Sequence, residues 1–66
     1  MSNLIQQTLS HCGYDSQPTE RNLAQCFLDY VDTGAFSNLT YDEAADMILE
    51  GELTVNDMCQ ALLNLR

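Results

Sequence analysis

Asp42, Asp46 and Glu50 recur at i, i+4 and i+8, with Glu43 beside the first of them. Written on a helix, that spacing lines three carboxylates along one face, about 6 Å apart in height. Asp29 and Asp32 form a smaller cluster upstream, and Glu52 and Asp57 follow downstream. Such a row is suited to holding cations or the Lys and Arg side chains of a partner. It is unfavourable within the chain itself. Like charges at i, i+4 destabilise a helix by roughly 0.2–0.5 kcal/mol per pair. Glu50 also stands at a helix C-terminus, where the backbone dipole disfavours an anion. The whole chain holds ten Asp and Glu, two Arg and no Lys, for a net charge of −8. The spacing of the row is broadly that of successive backbone phosphates. The plainer reading is a solvated face, with Asp42, Glu43 and Asp57 serving as helix-terminus residues.

The other chemistry-bearing residues form weaker patterns. Counted from Asp32 as the first position of a calcium loop, Thr40 and Glu43 fall where positions 9 and 12 require them. Gly34 and Phe36 then occupy positions that must supply side-chain oxygen, and Ser37 replaces the turn glycine, so calcium is not expected. His11, Cys12, Cys26 and Cys59 number four possible zinc ligands, but their spacing matches no zinc pattern. His11 and Cys12, being adjacent, are expected on different faces. One histidine leaves no base–nucleophile pair, and neither a phosphate loop nor a recognisable carboxylate site is evident, so no enzyme and no cofactor is expected.

The elements that must carry these residues are short helices. Leu39-Thr40-Tyr41-Asp42-Glu43-Ala44 is echoed fourteen positions later by Leu53-Thr54-Val55-Asn56-Asp57-Met58. In each copy the Thr is set to cap a helix. Glu43 is placed to complete a capping box, and Asp57 is a shorter, weaker substitute. Leu39 and Leu53 are placed to staple onto Ala44 and Met58, and Gly51 ends the first of the two helices. This predicts a C-terminal helical hairpin. Its inner faces are Tyr41, Ala44, Ala45 and Ile48, then Val55, Met58, Cys59, Leu62 and Leu63. Upstream, Leu4, Ile5, Thr8, Leu9 and Cys12 make one narrow apolar face, capped by Ser2 or Asn3 and ended by Gly13. Tyr14 to Pro18 read as a turn. Pro18 is tolerated in a first helical turn, and Ser16, Gln17 and Thr19 are the alternative caps of the next helix. That helix carries Leu23, Cys26, Phe27, Tyr30 and Val31, widened by Ala24 and Leu28, and Gly34 closes it. Ala35 to Asn38 form a link with room for a 3₁₀ turn. No segment alternates with period two. The expectation is an all-α, compact small bundle of four short helices, a single acidic domain over residues 1–66, with links of about three to six residues.

Composition narrows the function. A chain this acidic is repelled by nucleic acid and by anionic membranes. The third and fourth helices have the outline of a DNA-reading helix-turn-helix, but only Arg21 and Arg66 are available to contact phosphates. The three cysteines are odd in number and form no C-x-x-C, unlike a secreted disulfide scaffold. Residues 1–13 lack the basic segment and apolar run of a signal peptide. Nothing approaches the roughly 20 apolar residues of a membrane span. A reducing, cytoplasmic setting is expected, with no direct contact to nucleic acid or membrane.

A tiny, lysine-free, acidic, helical single domain with reduced cysteines resembles, in overall character, the small phage-encoded inhibitors of the anti-CRISPR and anti-restriction type. Several of those are similar to DNA in charge. The resemblance spans the whole chain and no motif, so no residue is carried over from it. It implies a stoichiometric inhibitor acting in the host cell's cytoplasm. Its acidic surface would occupy the DNA- or PAM-reading site of a nuclease complex such as a CRISPR effector. The partner-binding residues expected are Asp29, Asp32, Asp42, Glu43, Asp46, Glu50, Glu52 and Asp57, with Tyr14, Tyr41 or Phe36 as exposed anchors, on a monomer or weak homodimer. A second resemblance is to acyl and peptidyl carrier proteins, which are also small, acidic and four-helical. Asp15-Ser16 precedes the second helix here, and Thr54-Val55-Asn56-Asp57 looks like the start of a carrier's last helix. That likeness implies phosphopantetheine on Ser16. Gln17 and Pro18 replace the carrier's hydrophobic residue and helical start, and the long loop between a carrier's first two helices is missing. The remaining alternative is an adaptor that uses an apolar groove.

Overall fold

The computed structural model describes residues 3–65. It has four helices in chain order, α1 (Leu4–His11), α2 (Glu20–Asp32), α3 (Tyr41–Leu49) and α4 (Val55–Leu63). No strand is present among the described residues. The arrangement is the small all-α bundle expected from the apolar periodicity. The links 12–19 and 33–40 are eight residues each, longer than expected, because each spends residues on a helix end, a turn and a new cap.

The helix starts share one device. Asn3, Thr19, Thr40 and Thr54 are extended, and each side chain accepts from the backbone N–H three residues on. Such caps stabilise a helix by about 1 kcal/mol each. The alternative cap Ser2 lies outside the described residues. Thr19 is the cap of α2, so Pro18 precedes the helix and does not sit in its first turn. The two C-terminal copies differ from the expectation. At α4 the box is complete, since the Asp57 carboxylate accepts from the Thr54 N–H at 3.1 Å. At α3 the Thr40 hydroxyl donates to Glu43 Oε1 at 3.0 Å, and the longer Glu side chain satisfies the cap's hydroxyl in place of its amide.

The first three helices also end alike. At α3, Gly51 adopts φ +79°. Its N–H donates to the Ile48 carbonyl at 3.2 Å, and the Glu52 N–H donates to the Met47 carbonyl at 2.8 Å. This paired closure requires a left-handed residue, which glycine supplies without steric penalty. Gly13 and Gly34 close α1 and α2 in the same way.

The 13-residue α2 is the spine. It packs against α1, α3 and α4, and α1 also packs against α4. α3 rests on α2 and, among the described residues, does not pair with α4, so the expected C-terminal hairpin is not a packed pair: its two helices dock separately on the spine. Leu9, Leu23, Cys26, Phe27, Val31, Ala44, Met58, Cys59 and Leu62 form one buried core. Leu39 and Leu53 are half-buried against it. Phe36 lies on Phe27 with ring centroids 5.1 Å apart. Thr8 is the buried polar residue, and its hydroxyl donates to the Leu4 carbonyl at 2.7 Å. The Cα radius of gyration is 11.0 Å, against about 11 Å expected for a folded chain of this length. No helix among the described residues is long and apolar enough to cross a membrane.

Candidate functional site

α3 is the most weakly buried helix. Ala44 alone is fully buried, Ala45, Met47 and Ile48 are half-buried, and Tyr41, assigned to the inner face by its spacing, is 44 % exposed. The reason is that α3 has one neighbouring helix, so only one narrow stripe is covered. Its outer face carries Asp42, Asp46 and Glu50, all exposed. Glu50 is the C-cap, and no basic residue stands in the last turn. The last turn of α2 likewise holds no basic residue and carries Asp29 and Asp32, both exposed. Glu52 lies in the link after α3, and Asp57 in the first turn of α4.

The eight carboxylates divide by local role. Asp57 belongs to the capping box of α4, and Glu43 is held by the Thr40 hydroxyl. Asp29 accepts from the Tyr14 hydroxyl and from Gln25 Nε2, the latter at 2.9 Å. The Tyr14 bond, and after it the Gln25 bond, lower the pKa of Asp29 below the ordinary aspartate value. The same bond, with desolvation second, pushes the Tyr14 phenol up to about 12. Asp32, Asp42, Asp46, Glu50 and Glu52 are exposed and have no such partner among the described residues. Of the eight, these five are left available to a partner, and Asp15 and Glu20, outside that set, are exposed as well.

Of the three expected anchors, Tyr41 alone is exposed. Tyr14 is half-buried and committed to Asp29, and Phe36 is half-buried on Phe27. Leu49, which no pattern singled out, is 84 % exposed. The signal for it was available: in a helix whose inner face is Ala44 and Ile48, position 49 turns outward.

His11 and Cys12, expected on different faces, both line one cleft at the C-terminal end of α1. Tyr30, Leu62 and Leu65 complete the lining, and the cleft has a volume of about 170 Å³. His11 Nε2 lies 3.1 Å from the Leu65 carbonyl oxygen, and the Tyr30 hydroxyl donates to the Cys12 carbonyl at 3.2 Å. Drug-sized ligands need roughly 300–1,000 Å³, so this cleft fits a side chain at most. The Cys26 thiol is pushed up to about 12, first by burial and then by Cys12 beside it, which makes it a poor nucleophile. No group of three or more His, Cys, Asp and Glu among the described residues is arranged to hold a metal. Ser16 is exposed in the link 12–19, three residues ahead of the Thr19 cap and so outside the start of α2. Compared with protein-family models, curated proteins and solved structures, the chain matches none of them, and its function must be read from the chemistry of its own surface.

Proposed function

We propose that this chain is a stoichiometric protein-binding inhibitor of the anti-CRISPR or anti-restriction kind. Its acidic surface pairs with Lys and Arg in the nucleic-acid-reading site of a nuclease complex. The observation that supports the reading is the set of exposed carboxylates with no hydrogen-bond partner among the described residues, Asp32, Asp42, Asp46, Glu50 and Glu52, on a chain of net charge −8. Solubility is ordinarily met with mixed charges. Here three of the five repeat at i, i+4, i+8, at a cost to the helix that carries them. Occupation by charge speeds encounter through long-range steering and gives the complex a steep salt dependence.

The test is competition. DNA binding and cleavage by a panel of CRISPR effectors and restriction nucleases are measured with the chain in slight excess, at low and at physiological salt. Inhibition of a member of the panel, relieved by salt and abolished by the Asp42→Lys/Asp46→Lys/Glu50→Lys triple variant, supports the reading. Binding that ignores salt and survives the triple reversal in a folded variant overturns it in favour of an apolar adaptor.

A further inference from the structure

Leu49 stands three residues from Asp46 and seven from Asp42, so the three side chains share the outer face of α3. It is 84 % exposed, in the last turn of a helix covered on one side only. The C-cap that follows it uses Gly51, Ile48 and Met47, and Leu49 has no part in it. Tyr41, 44 % exposed, and half-buried Ala45 precede Leu49 at i−8 and i−4 and extend an apolar strip beside the acidic row. The C-terminal carbonyls of α3 add partial negative charge at the same end, where Glu50 caps the helix and Glu52 follows.

We infer that Leu49 is the apolar anchor of an acid-rimmed docking ridge on α3, and that its partner is a cationic amphipathic protein segment whose Lys and Arg flank an apolar pocket. The occupant follows from charge complementarity. A free apolar ligand has no use for the rim, whereas a partner's cations beside the pocket neutralise Asp42, Asp46 and Glu50 while Leu49 is desolvated. A second copy of this chain would bring the same carboxylates against each other. The inference rests on the acidic-surface reading and adds that the surface is no pure charge mimic, since a phosphate backbone has no counterpart to Leu49. Burying a leucine fully contributes enough for about a ten- to hundredfold change in affinity.

The probe is a synthetic cationic amphipathic helix with Lys and Arg flanking a Leu stripe, paired with a control peptide in which Ser replaces the stripe. Binding of each to wild type and to Leu49→Ser is followed by fluorescence anisotropy, with circular dichroism confirming the fold of the variant. The expected result is about tenfold or greater weakening by Leu49→Ser toward the Leu-stripe peptide and little change toward the control. Equal binding of both peptides to both proteins overturns the anchor. If that binding still collapses with salt and with the triple charge reversal, the acidic-surface reading stands without it. Absence of binding by the Leu-stripe peptide also overturns the inference.

Discussion

At the residue scale, the contact with the clearest signature is Tyr14 with Asp29. The phenol donates to a carboxylate that Gln25 also supports, so each partner holds the other in its protonation state. Asp29 is lowered, so its contribution is present above the ordinary aspartate value and is lost as pH falls through its depressed one. Tyr14 is raised from 10.0 to about 12, so its contribution is full below pH 10 and is lost as pH climbs toward 12. Removing the hydroxyl with Tyr14→Phe is expected to cost about 1 kcal/mol near neutrality, the low end for a bond to a charged group, because water screens the pair. Chemical denaturation across pH checks this. The variant should lose less stability than wild type at both the acid and the alkaline ends, and carboxyl NMR should show Asp29 titrating closer to its ordinary value. Tyr14 is readable in the sequence as a turn residue. Its partner is not, because the link 12–19 must fold before two residues fifteen positions apart can meet.

At the scale of the element, the duplicated cap motif was legible and its internal chemistry was not. Thr40 and Thr54 both cap, as their spacing before an apolar stripe requires. Which acid closes the box depends on reach: Asp57 meets the cap amide, while Glu43 meets the cap hydroxyl. Asp57→Ala should therefore destabilise the chain by roughly 0.5–1 kcal/mol. Glu43→Ala should cost a few tenths at most, since its carboxylate meets the cap hydroxyl and satisfies no backbone amide. Urea midpoints of the two variants test the order. The C-terminus of α3 makes an opposite prediction. Glu50→Lys replaces an anion at the negative end of the helix dipole and relieves its repulsion with Asp46, so it should stabilise by about 0.3–1 kcal/mol. In the same variant, partner binding should weaken. A residue whose replacement improves the fold while harming binding is retained for the surface it offers.

At the scale of the whole molecule, one core and a large unbalanced charge oppose each other. Nine buried apolar residues gathered around α2 hold the chain together. A net charge of −8 on a particle of 11.0 Å radius of gyration repels itself. Neutral salt should accordingly raise the melting temperature through the range from about 0.01 to 0.15 M, where the Debye length shrinks from about 30 to 8 Å. Thermal melts in sodium chloride check this, and a melting point indifferent to salt would show that the charges are too dispersed to matter. The same salt range should weaken an electrostatic complex, so fold stability and partner affinity are expected to move in opposite directions.

The residue pattern by itself determined the four helices, the glycine ends of the first three and most of the core, because each follows from local backbone chemistry and a 3.6-residue period. The apolar stripe of α2 is buried at Leu23, Cys26, Phe27 and Val31 as its spacing required. Tertiary structure alone decided how α3 is seated. With a single neighbour, it covers Ala44 and leaves Tyr41 and Leu49 to solvent, although periodicity had placed Tyr41 inside. It also sorted the acidic residues. Asp29, Glu43 and Asp57 have partners within the fold, and Asp32, Asp42, Asp46, Glu50 and Glu52 face outward without one among the described residues. Spacing along a chain reports which residues share a face. Only the packing of helices reports whether that face is already covered.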